Sequence, residues 1–140
     1  MRYWDASALV PLVIAEPASS VLRRKASDDA IVTWCLSGVE IASAIERRAR
    51  EHALDADGRA QALANLEQLA HAWTEVTATA AARDRAYRLL ATHVLRAGDA
   101  LQLAAALVAA NDRPHAHEFL SGDVRLREAA TREGFKVVSY

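Results

Sequence analysis

This chain is short of the residues that staple a fold. Cys35 is its one cysteine, which excludes an internal disulfide and any zinc site built on cysteine. Lysine is almost missing: Lys25 and Lys136 are the only two among 17 basic residues, so the positive charge is carried by arginine. Arginine suits bidentate phosphate contacts. No charge of one sign prevails, since the formal net charge is −1, and no global field draws in a polyanion. Any nucleic-acid contact must therefore come from a local patch. No apolar run is long enough to span a membrane, and the opening "MRYWDASALVPLVIAEP" is broken by Asp5 and Pro11, unlike a signal peptide. A cytoplasmic protein is the expectation. The three prolines and five glycines are scattered, with no low-complexity linker and no internal repeat.

What is present describes a globular domain. The chain has 140 residues, 52% hydrophobic and 25% charged, enough for one domain with a real core. Residues 2–4 read as a strand, followed by a helix from about Ala6 to Val13, with Asp5 or Ser7 as its cap. Pro11 removes an amide donor and is expected to end or kink that helix early. A second helix covers Ser19 to Ala26, and "AIVTW" (Ala30 to Trp34) is β-branched and aromatic, a second strand. Ser37 opens a helix to about Glu51, and Asp55 or Asp57 starts another carried by Leu63, Leu66 and Leu69. "WTEVTA" is the third strand, with helix from Thr79 to about Leu95. Gly98 breaks the pattern and Asp99 is expected to cap an almost wholly apolar helix ending near Asn111. "HEFLS" is the fourth strand, "VRLREAATREG" a helix closed by Gly134, and "FKVVS" the last strand. Strands alternating with helices imply a mainly parallel sheet with right-handed crossovers.

Four acids, Asp5, Glu40, Asp99 and Asp123, each stand where a helix begins, and three of them closely follow a strand. Each has an ordinary explanation. Asp5 suits a helix cap, worth about 1 kcal/mol. Ser37-Gly38-Val39-Glu40 matches the S-x-x-E capping box, in which the glutamate reaches back to the Ser37 amide. Gly98-Asp99 is a plain cap pattern, and Asp123 fits a turn or cap. Taken singly, these explanations are at least as good as a functional one. Taken together, four acids at the carboxyl edge of a parallel sheet form the donor set of a hard divalent cation. Ser7 and Ser121 lie two residues from Asp5 and Asp123, and Gln102 lies one turn beyond Asp99 on the same face.

At these residues the chain resembles PIN-domain proteins, and more narrowly VapC-type toxin ribonucleases. "YWDASALVPLVIAEP" resembles the family's opening strand–Asp–x–Ser–helix segment, and "SGVEIASAIERR" its glutamate helix. "LRAGDALQLAAAL" resembles its third acidic motif and "FLSGDVRLREAATREGFKVV" its closing segment. Gln102 departs from the pattern, standing where relatives often place a histidine. The resemblance covers residues 1–140 as a single PIN-like nuclease domain. It implies a three-layer α/β/α fold with about five parallel strands in the order 3-2-1-4-5. It also implies cleavage of single-stranded RNA with Mg²⁺ or Mn²⁺, a cognate VapB-type antitoxin, and a homodimer that forms a heterotetramer or larger assembly with that antitoxin. Asp5 and Asp99 are expected as direct metal ligands; Glu40 and Asp123 bind directly, act through water, or hold a second ion about 4 Å away. Ser7 and Ser121 are the supporting hydroxyls, and Arg125, two residues after Asp123, is a candidate RNA contact.

Two other classes compete. A non-catalytic PIN-like binding module would keep the fold without metal chemistry, and the intact acidic quartet argues against it. A phosphatase or phospho-acceptor domain would need a second aspartate two residues after Asp5, where Ser7 stands, and a helper lysine that is hard to find with only Lys25 and Lys136. Arg47, Arg48 and Arg50 complement a helix end, and Arg83, Arg85, Arg88 and Arg96 read as a solvated face. Trp4, Trp34 and Trp73 read as core, and the histidines lack ligand spacing.

Overall fold

Strand β1 (Arg2–Trp4) occupies the centre of the sheet because both of its faces are apolar. Successive strand residues point to opposite sides. Tyr3 joins one hydrophobic core and Trp4 the other, and both are fully buried. The computed structural model describes residues 1–140. From β1 the chain passes through α1 (Ala6–Val13) and α2 (Ser19–Asp28) to β2 (Ile31–Trp34). It continues through α3 (Ser37–Arg50) and α4 (Ala56–Ala70) to β3 (Thr74–Val76). Helices α5 (Thr79–Thr92) and α6 (Ala97–Ala109) and a 3₁₀ turn at Pro114–Ala116 lead back to β4 (Glu118–Leu120). Helix α7 (Val124–Glu133) and β5 (Lys136–Val137) complete the chain.

The five strands are all parallel and ordered β3-β2-β1-β4-β5, as the resemblance implies. The chain winds outward from β1 on one side, then returns to place β4 on the other. That reversal opens a crevice at the carboxyl ends of β1 and its neighbours. Helices α1 to α4 cover the Trp4 and Leu120 face with Leu9, Leu22, Ile41 and Ile45. Helices α5 to α7 cover the Tyr3 and Phe119 face with Leu89, Leu103 and Leu126. Tyr3 stacks on Phe119 at 5.4 Å between ring centroids. The run of alanines on α6, Ala100 and Ala104 to Ala106, is wholly buried and keeps that helix close to the sheet. No helix is long and apolar enough to cross a membrane.

Trp4, Trp34 and Trp73 are core, as their strand positions suggest. Pro11 sits inside α1, which continues past it to Val13 and then turns into extended backbone at Ile14. Three sequence expectations need correction. Helix α5 stops at Thr92, not near Leu95, because His93 turns extended. Asp99 is not the cap of α6; Arg96 holds that position and Asp99 is the third helical residue. The capping box does not form, because Leu36 is the cap of α3 and the Ser37 hydroxyl is taken by interior partners. The solvated-face reading holds for Arg83, Arg88 and Arg96, which are exposed, while Arg85 is half-buried; within that face Arg85 pairs with Asp112, Arg88 with Glu133, and Arg96 also borders a cleft.

Candidate active site

Each acid of the quartet is delivered by a different part of the fold. Asp5 directly follows β1, and its backbone amide donates to the Leu120 carbonyl at 2.9 Å, which continues the pairing of β1 with β4. It is also the cap of α1, accepting from the Ser7 amide at 3.2 Å. The same oxygen, Oδ2, accepts the Ser7 hydroxyl and, at 2.9 Å, the Ser121 hydroxyl. Ser7 and Ser121 are therefore the supporting hydroxyls, arriving from α1 and from the end of β4. They leave Oδ1 as the carboxylate oxygen without a protein donor. Asp5 is only 4% exposed. Burial raises its pKa above the ordinary carboxylate range; the three hydrogen bonds oppose this and the charge of Asp99 adds to it.

Gly122 joins Ser121 to Asp123, and its amide donates to the Ser7 hydroxyl at 2.8 Å. A side chain here would press on that hydroxyl and on the Tyr140 hydroxyl, each 3.4 Å from where a Cβ would sit. Asp123 caps α7 through Oδ1, accepting from the Leu126 amide at 2.8 Å, so the cap reading of Asp123 holds.

Glu40 lies in the first turn of α3 and accepts from Gln102 Nε2 at 2.9 Å. Burial pushes its carboxyl up to about 7; the Gln102 hydrogen bond opposes this and the charges of Asp5 and Asp99 add to it. Asp99 is raised by burial and then by the charge of Asp123, with the Arg96 backbone amide and guanidinium pulling the other way. Asp5, Glu40 and Asp99 thus act on one another, and Asp123 joins through Asp99. None of the four has a basic side chain within ion-pair distance.

Two clefts flank these acids. One of about 580 Å³ is lined by Asp99, Asp123, Gly122, Arg96 and Arg125. The other, about 260 Å³, is lined by Ser7, Glu40, Arg47 and Arg48. Arg48 is tied to Glu16, whereas Arg47, Arg96 and Arg125 form no ion pair. Sequence reasoning named Arg125 and left open which other arginines border the site; Arg96 and Arg47 are the ones that line the clefts without an ion pair. It missed Tyr3, whose hydroxyl donates to Gln102 Oε1 at 2.7 Å. The signal for that contact was Gln102 itself, a polar residue in an otherwise apolar helix.

No family model matches the chain. Two curated relatives do, ribonuclease VapC45 of Mycobacterium tuberculosis strain CDC 1551 and ribonuclease VapC49 of strain H37Rv. Each is 35% identical over 106 residues, which is 75% of this chain and 74% of the relative. The chain belongs to the VapC family of PIN-domain proteins. For a VapC-family chain the carboxylate cluster at the sheet edge is the first place to seek chemistry. Its donors are all carboxylate oxygens, which suit a hard cation. No three acidic or histidine side chains already stand close enough together to form a metal cage. A fit through one or two direct carboxylates, with water completing the shell, matches the habit of Mg²⁺.

Proposed function

We propose that this protein is a metal-dependent endoribonuclease that hydrolyses phosphodiester bonds in single-stranded RNA, as the toxin of a toxin–antitoxin pair. The observation that carries this reading is the uncompensated quartet. Four carboxylates come from separate segments: Asp99 and Asp123 line one cleft, Glu40 lines the other, and Asp5 is bonded to Ser7 of that second cleft. Burial and neighbouring carboxylates raise the proton affinity of Asp5, Glu40 and Asp99, and none of the four forms an ion pair with an arginine or lysine. Such repulsion is retained where a cation relieves it. The ribonuclease names of the two relatives support the substrate class.

Asp5 and Asp99 would hold Mg²⁺ or Mn²⁺ directly, and Glu40 and Asp123 directly, through water, or around a second ion. The ion supplies a water of lowered pKa and polarises the phosphoryl oxygen. The chain's own residues do the remaining work. Ser7 and Ser121 lock the rotamer of Asp5 by saturating Oδ2, which leaves Oδ1 without a protein donor and in a fixed orientation. Arg96 and Arg125 border the larger cleft unpaired and would bind flanking phosphates, to which guanidinium groups are matched. A VapB-type antitoxin and a second copy of the chain are the proposed protein partners.

The test is cleavage of a single-stranded RNA in Mn²⁺, comparing wild type with Asp5→Asn and Asp99→Asn. Each variant is expected to lose roughly 10²-fold or more of activity. Equal activity in all three proteins would sink the active-site assignment. Sequencing the neighbouring reading frame and co-purifying its product tests the toxin role separately.

A further inference from the structure

Gln102 is the one polar side chain on the buried face of α6, and it is fully inaccessible to solvent. A primary amide survives in such a place when its polar atoms are satisfied. Here Oε1 accepts the Tyr3 hydroxyl at 2.7 Å, while Nε2 donates to Ser37 Oγ at 3.0 Å and to Glu40 Oε1 at 2.9 Å.

The direction of these bonds can be worked out from a fixed end. Thr33 Oγ1 lies 2.7 Å from the Trp4 carbonyl, which can only accept, so the one hydroxyl proton of Thr33 is committed there. In the 2.6 Å contact between Thr33 and Ser37, Ser37 must then be the donor. Ser37 has no proton left for Gln102 and accepts from it, which places the amide nitrogen on the Ser37 side. Glu40 lies on that same side and receives the second N–H. Trp4 is the residue before Asp5. The chain of bonds therefore runs from the backbone that carries Asp5, through β2 and α3, to the carboxylate of Glu40.

We propose that Gln102 is a positioning residue: its amide, oriented by Tyr3, Ser37 and Thr33, holds the Glu40 carboxylate in register with Asp5 in the acid centre. This rests on the nuclease reading above. Gln102 touches neither substrate nor ion and acts through Glu40.

The experiment uses Gln102→Met, which keeps the bulk and removes both N–H donors. RNA turnover is measured together with Mn²⁺ affinity in the absence of RNA. The expected result is a fall of about 10- to 100-fold in kcat and a weaker Mn²⁺ affinity, with KM for RNA little changed. In the double variant Glu40→Gln/Gln102→Met, activity should equal that of Glu40→Gln alone, because the second change has nothing left to act through. Tyr3→Phe removes only the hydroxyl that orients the amide and should give a smaller loss of the same kind; it carries the test if Gln102→Met does not fold. Losses that add in the double variant, or a Gln102→Met protein that is less stable but keeps kcat and Mn²⁺ affinity, would overturn the proposal. Either result leaves the nuclease reading standing if Asp5→Asn is inactive; an active Asp5→Asn brings down the reading itself.

Discussion

Burial holds the Glu40 carboxyl at about 7, opposed by Gln102 and reinforced by Asp5 and Asp99. An unfolded glutamate titrates near 4.3. Between those values the folded state keeps a proton that the unfolded state has released. The associated stability is full below the unfolded pKa and is lost as pH rises through the folded one. Asp5 and Asp99 are raised as well and act with the same sign. The metal-free protein should melt at progressively lower temperature as pH rises from about 4.5 to about 7, and Glu40→Gln should flatten part of that slope. Thermal melts in EDTA check this, and a wild-type profile that climbs with pH would contradict it. Ser7 and Asp5 were legible together because only Ala6 separates them, and Ser121 likewise stands one residue removed from Asp123. The pairing of Gln102 with Glu40 spans 62 positions and leaves no local trace, so the sequence offered a capping box that the interior then claimed for other bonds. Tyr140, whose own pKa burial pushes up to about 12, reaches Gly122 without any sequence cue.

Helix ends set the reach of the acids. Asp5 and Asp123 are true caps, while Asp99 and Glu40 sit within first turns. The periodic apolar faces made helices α3 and α7 readable nearly to the residue, whereas α6 starts three residues earlier than its expected cap implied. What periodicity cannot locate is which residue of a first turn is the cap, because the choice depends on what the loop before it packs against. The carboxyl end of α7 was clearer. Gly134 has φ +102°, and its Cβ would lie 3.3 Å from Pro114 Cγ. Replacing it with alanine puts a side chain in a left-handed conformation, with an expected cost of about 1–2 kcal/mol. Gly134→Ala should lower the denaturant midpoint while RNA cleavage under native conditions stays within about twofold of wild type, since α7 keeps its cap at Asp123. An unchanged midpoint would show that the turn relaxes without strain.

Across the whole molecule, two cores sandwich a sheet of short strands. The alternation of strands with helices was enough to expect a parallel sheet, while the three layers came from the resemblance. Strand order came from the resemblance, because hydropathy does not say which strands are neighbours. A cation that binds the folded acid centre stabilises the entire domain by mass action, by about 2.7 kcal/mol at 100 times its dissociation constant. Saturating Mn²⁺ should therefore raise the melting temperature of the wild type and leave Asp5→Asn/Asp99→Asn unmoved; an equal rise in both would place the ion elsewhere. The sheet order also has a temporal side. Asp5 belongs to the first strand made, yet the flank of β1 that carries Ser121 is filled by β4, which is made fourth. Until β4 and α7 have left the ribosome, Asp5 lacks one of its locking hydroxyls and Asp99 lacks its facing carboxylate. On the nuclease reading, a nascent chain is thus a harmless one: the blade closes only after the machine that made it, itself built of RNA, has nearly let go.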